Sequence, residues 1–123
     1  MSQTLRVTFI VHAVVAFILG LGLLGAPGRV LEPFGWAPID PLMSRMLGAA
    51  LLALAWGSYR GYRSATWDQV ELLVQIEAAF TVLAGVGLLR HLLVANYDWY
   101  VWTVFAVYAV FAVAWIYHLV SAE

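Results

Sequence analysis

The chain has 123 residues, 64% of them hydrophobic and only 11% charged, with a mean hydropathy of +0.90. Soluble domains average about 45–50% apolar and about 25% charged residues, so the composition lies well outside the soluble range. The absence of cysteine excludes disulfides, thiol redox chemistry, cysteine-ligated zinc and iron–sulfur clusters, and a net charge of −1 with no basic run offers nothing to a nucleic acid.

The apolar excess falls in four runs, at residues 5–24, 42–60, 69–91 and 98–120. At a rise of about 1.5 Å per residue, runs of roughly 19–23 residues span a hydrocarbon core of about 30 Å. Backbone groups in lipid must be paired within their own segment, so each run is expected to be α-helical. The expected fold class is all-α, an integral membrane four-helix bundle in a single domain over 1–123. The short links between runs predict up-down-up-down connectivity.

The first run has two readings. Arg6 and the small residues Gly25 and Ala26 resemble parts of a signal peptide, but the apolar stretch exceeds the usual core of about 7–15 residues. Retention as the first spanning helix is the expectation. The link that follows, GAPGRVLEPFGWAPID, ends the helix near Gly25 and starts the next one after Pro38 and Pro41. Its segment Arg29–Trp36 is too apolar for a solvated loop. It is expected to lie as a short amphipathic element at the interface, with Phe34 and Trp36 at headgroup depth. The alternative is a lid over a pocket.

The second run carries Arg45 near its start and the small-residue series Ala49, Ala53 and Gly57, beside Gly48. Ala16 and Gly20 in the first run, and Thr81 and Gly85 in the third, repeat the four-residue spacing. Such faces let helix axes approach closely. After a turn with Arg60 and Arg63, Thr66 is the expected N-cap of the third helix, with Trp67 an interfacial anchor and Asp68 at the positive end of the dipole.

The third run contains the polar residues that matter most. Glu71 belongs to the interface, while Gln75 and Glu77 lie roughly 9 and 12 Å deep, on different faces because two residues turn a helix by about 200°. His12, roughly 10 Å below the same side, shares a level with Glu77; Arg45 lies roughly 10 Å away along the membrane normal. Glu77 shares its face with Thr81 and Gly85. An intramembrane carboxylate is costly and usually paired, so Glu77 is either a functional group or one half of a bridge to His12 or Arg45 that sets helix register. Gln75 and Tyr108 complete the polar candidates.

In the fourth run, Trp99, Trp102, Phe105, Tyr108 and Phe111 recur every third residue, followed by Trp115 and Tyr117. This is either an aromatic wall for a flat lipophile or a lipid-facing stripe. Trp36, Trp67, Trp99, Trp102 and Trp115 are the expected interfacial anchors. No metal-ligand set and no nucleophile–base pair assembles, so no catalytic residue is assigned, an enzyme is the least favoured class, and no cofactor is named.

The stretch HAVVAFILGLGLLGAPGRVLEPFGWAPIDPLMSRMLGAALLALAWGSYRGYR, with the Gln-x-Glu of the third run and LLRHLL after it, resembles a family of small four-helix prokaryotic membrane proteins loosely akin to the DoxX-like group. The resemblance rests on Arg45, Leu47, Gly48 and Ala49 at the head of the second helix, together with Glu77. It implies the four-helix fold and a shared Arg–Glu arrangement, and no activity.

The expected function is that of a structural or accessory membrane protein, a homo-oligomer or part of a larger complex in the lipid bilayer. The alternatives are a binder of a lipid, quinone or pigment, and a proton-coupled transporter using Glu77. Arg6, Arg60 and Arg63 fall on the side of the termini, which places both termini in the cytoplasm of a prokaryotic cell by the positive-inside rule.

Overall fold

The computed structural model describes residues 1–35 and 39–123, so Trp36 and Pro38 lie outside the described residues. The described chain is all-α and holds five α-helices: α1 (Gln3–Gly25), α2 (Pro27–Leu31), α3 (Pro41–Tyr62), α4 (Trp67–Leu93) and α5 (Trp102–Ser121). Short 3-10 turns follow α2 at Glu32–Phe34 and precede α5 at Trp99–Val101.

Three of the four long helices, α1, α3 and α4, begin at a capping side chain. The Ser2 hydroxyl accepts from Leu5 N, and the Asp40 carboxylate accepts from Met43 N with Pro41 in the first turn. Thr66 is the N-cap of α4, and the Gln69 side chain reaches back to accept from its backbone N–H.

Three elements, Gln3–Gly25, Trp67–Leu93 and Trp99–Ser121, are long and apolar enough to cross a membrane. The second run, expected as a fourth span, forms a helix of comparable length in α3. Its hydropathy is lower because two arginines, three glycines, two serines, a Trp and two Tyr dilute the aliphatics.

The core follows from stripes at three- and four-residue spacing. In α1 the stripe is Leu5, Phe9, His12, Ala16, Gly20 and Leu23, with Ala13 buried beside it; in α4 it is Val70, Val74, Glu77, Thr81 and Gly85, with Ala78 and Leu92 also buried. In α3 the buried face is Gly48, Leu51, Ala55, Ser58 and Gly61, while Ala49 and Ala53 are exposed. At about 100° per residue, the small-residue face expected in this helix lies nearly opposite the buried one, although the two interleave in the sequence.

α1 packs along most of its length on α3, and α4 on α5. At the crossing of α1 and α3, a Cβ on Gly48 would stand 2.7 Å from Leu24 N and 2.8 Å from Gly20 O, so the two backbones touch. Contacts between the two pairs are fewer. They concentrate toward the end carrying the termini, where Leu5, Phe9, Val70, Val74, Ala78 and Trp115 form the hydrophobic core.

Trp115 requires a correction. Expected at the interface, it is wholly buried, with its ring 5.2 Å from that of Phe9 and 5.5 Å from that of His12. It stands six residues inside the end of α5, roughly 9 Å below it, on the same face as Phe111 and His118. Trp67 is half-buried against the core, Trp102 is half-buried, and Trp99 is 79% exposed. The series Trp99, Trp102, Phe105, Tyr108 and Phe111 cannot form one face, because each three-residue step falls about 60° short of a full turn and the series winds around the helix.

Candidate functional site

Three helices each place one polar side chain on a core stripe at the same depth: His12 from α1, Ser58 from α3 and Glu77 from α4. All three are buried, Ser58 and Glu77 completely. His12 Nδ1 is 2.8 Å from Ser58 Oγ, Ser58 Oγ is 3.0 Å from Glu77 Oε1, and His12 Nε2 lies 3.4 Å from Glu77 Oε2. The atoms close a ring.

The ring's hydrogens can be counted. The ring can run in either sense: a protonated Glu77 Oε1 can donate to Ser58 and Ser58 to Nδ1, or the Ser58 hydrogen goes to Glu77 and Ser58 receives from a protonated Nδ1. In either sense Nε2 and Oε2 face each other, and two lone pairs there would repel. One proton therefore belongs to that edge, and the ring has the same net charge whether His12 and Glu77 form an ion pair or a neutral pair. Glu77 Oε2 makes no hydrogen bond among the described residues, so this edge is the loose one.

The sequence reading placed His12 and Glu77 at one level, and the structure brings them into contact. It does not bring Arg45 to Glu77: the Arg45 Nε donates to the Leu24 carbonyl at 3.2 Å on an exposed surface, near the other end of α3. Gln75 is exposed, two residues and about 200° from Glu77. Ser58 was not among the expected polar residues. Its signal was present, since Leu51, Ala55 and Ser58 continue a core stripe from Gly48 at spacings of three, four and three.

Beyond the ring lies a cavity of about 400 Å³, within the roughly 300–1,000 Å³ of small-molecule sites. His12, Thr81 and Phe111 line its inner end, with Phe111 meeting the His12 ring edge-on at 4.8 Å. From His12 to Leu23 it follows α1 for about 16 Å. Val104, Val107 and Tyr108 of α5 form the facing wall.

Val30, Leu31 and Phe34, from α2 and the turn after it, cover the outer end. The segment thus turns these three side chains toward the space between α1 and α5. Close packing at Gly22, where a Cβ would be 2.8 Å from the Val30 side chain, seats α2 on α1. The Tyr100 hydroxyl donates to the Pro33 carbonyl at 2.8 Å and ties the cover to the start of α5. The wall between α1 and α5 is open at the side, where Ile18, Leu19 and Val107 are exposed.

Among the described residues, the side chains with nitrogen or oxygen that line the cavity are His12, Thr81, Thr103 and Tyr108, with no carboxylate and no arginine. Among the described residues no group of three or more His, Asp or Glu is placed to hold a metal ion.

No protein-family model, curated protein or solved structure matches this chain.

Proposed function

We propose that the protein is a four-helix membrane protein that binds a lipophilic molecule in the cavity between α1 and α5. The observation that carries this reading is the cavity itself: an apolar, side-opening space, covered at one end and closed at the other by a polar ring. A bundle serving only as a scaffold or accessory subunit gains stability by filling that space. Access from the side suits a ligand arriving through lipid.

The membrane setting rests on three elements of spanning length and on the apolar outer surfaces of the long helices. Ile18, Leu72, Leu83, Val110 and Val113 are all more than 60% exposed. α3 is the fourth span in this reading, since Leu42, Met43, Met46 and Trp56 turn outward on it. The resemblance to the small four-helix membrane family supports the same reading of the fold. By the positive-inside rule, Arg6, Arg60 and Arg63 support termini on the cytoplasmic side of a prokaryotic membrane.

In this arrangement the His12–Ser58–Glu77 ring holds α1, α3 and α4 at the depth where the cavity ends. Native mass spectrometry of the protein released from mild detergent is expected to show a bound lipophile. Val104→Trp, which adds a large ring to the cavity wall, is expected to remove at least nine-tenths of it while the helical circular dichroism is kept. An empty wild-type protein, or a ligand retained in full by the variant, refutes the assignment.

A further inference from the structure

The proposed binding role leaves open what the ligand presents to the protein, and the hydrogen-bond inventory of the cavity narrows it. Thr81 Oγ1 donates to the Glu77 carbonyl, and Thr103 Oγ1 donates to the Tyr100 carbonyl. Both His12 nitrogens are directed to Ser58 and Glu77. Tyr108 is different. Its ring is held beside Phe80, with centroids 6.1 Å apart, while its hydroxyl makes no hydrogen bond among the described residues. A half-buried phenol in an apolar wall is thus left with an unused donor, and such a group normally finds an acceptor.

Charge narrows the choice again. No arginine lines the cavity, so a carboxylate or phosphate there would lack a counter-charge. Glu77 is not in the lining and is already paired, so a cation finds no partner either.

We infer that the ligand is an uncharged lipophile with a carbonyl or ether oxygen that accepts the Tyr108 hydroxyl. This rests on the binding role proposed above. It commits to a free lipophile contained in the cavity rather than to the ester carbonyl of a bilayer phospholipid, because α2 and the following turn cover the end where a phosphate headgroup would have to sit.

The test uses the full chain in detergent and three probes of equal chain length: a long-chain methyl ketone, the alkane and the fatty carboxylate. Titration by native mass spectrometry is expected to show the ketone bound about tenfold more tightly than the alkane, the size of one net hydrogen bond. The carboxylate is expected to bind no better than the alkane. Tyr108→Phe removes only the hydroxyl and should erase the ketone preference while leaving alkane affinity unchanged.

The carbonyl stretch of bound ketone gives an independent reading, lower in frequency in the wild type than in the variant. Persistence of the preference in Tyr108→Phe, tightest binding of the carboxylate, or a co-purified phospholipid displaced by Val104→Trp would each overturn the inference while leaving a binding cavity in place. Failure of every probe to bind wild type, with no effect of Val104→Trp on bound lipid, removes the binding role itself.

Discussion

Gly48→Ala is expected to destabilise the detergent-solubilised protein more than any other single glycine-to-alanine change. The added methyl would stand 2.7 Å from Leu24 N, 2.8 Å from Gly20 O and 3.1 Å from Leu23 C, all of them backbone atoms of α1. None can rotate away, so α1 and α3 must separate. Overpacking of this kind costs about 1–3 kcal/mol, and Gly48→Leu should exceed it. At Gly61 the obstacle is the Phe9 ring at 2.6 Å, a side chain that can tilt, so the cost there is smaller. Gly87, with nothing within 4 Å, serves as the control, and Gly87→Ala should be neutral or mildly stabilising. Thermal unfolding followed by circular dichroism orders the three. Equal melting temperatures for Gly48→Ala and Gly87→Ala would show that the two backbones are not in contact.

Ser58→Ala is expected to have the second large effect. It deprives His12 Nδ1 and Glu77 Oε1 of their common partner, and each orphaned buried group costs roughly 1–3 kcal/mol. Removing the whole ring should cost less than removing its middle. The triple change His12→Phe, Ser58→Ala and Glu77→Met replaces the polar groups by apolar ones of similar size, and is expected to recover most of the lost stability. A Ser58→Ala protein that melts like wild type would mean that the ring does not tie the three helices together.

How far the sequence foretold these features depends on which property each one uses. The four runs became helices with ends shifted by only a few residues, because hydropathy and capping act locally. The common level of His12 and Glu77 was legible too, since depth along a helix is a count of residues times a fixed rise. Facing direction was harder. The series Ala49, Ala53 and Gly57 has the spacing of a close-packed seam, yet Gly48 and Ser58, one residue away, are the groups that touch.

Periodicity defines a stripe but does not say which of a helix's stripes a neighbour will choose. Ser58 gives a weak signal for the related reason that a helical serine ordinarily bonds its own backbone. Trp115 was misplaced because an aromatic near a helix end suggests an interface, whereas its depth and its face with Phe111 and His118 put it in the core. The cavity was not legible at all. It is the space left between α1 and α5, and no residue encodes it singly.

The uneven packing of the two helix pairs has a mechanical consequence. α1 with α3 and α4 with α5 are two arms, joined at one end by the ring and by Phe9 against Trp115. At the covered end they are joined by the Tyr100–Pro33 hydrogen bond, so the arrangement is that of a spring clothes-peg with a light clasp. A bulkier occupant would then be accommodated by leverage: a small rotation at the fastened end becomes a larger parting at the covered end. Because the chain has no cysteine, pairs of labels can be introduced cleanly on exposed sites. Ligand binding is expected to widen a Met43→Cys, Leu93→Cys pair more than a Val7→Cys, Leu72→Cys pair in electron–electron distance measurements. Equal changes at both ends would mean that the arms translate rather than pivot. With a pivot, the tolerance for ligand size is set by the stiffness of the fastening, so residues that never meet the ligand would decide how large it can be.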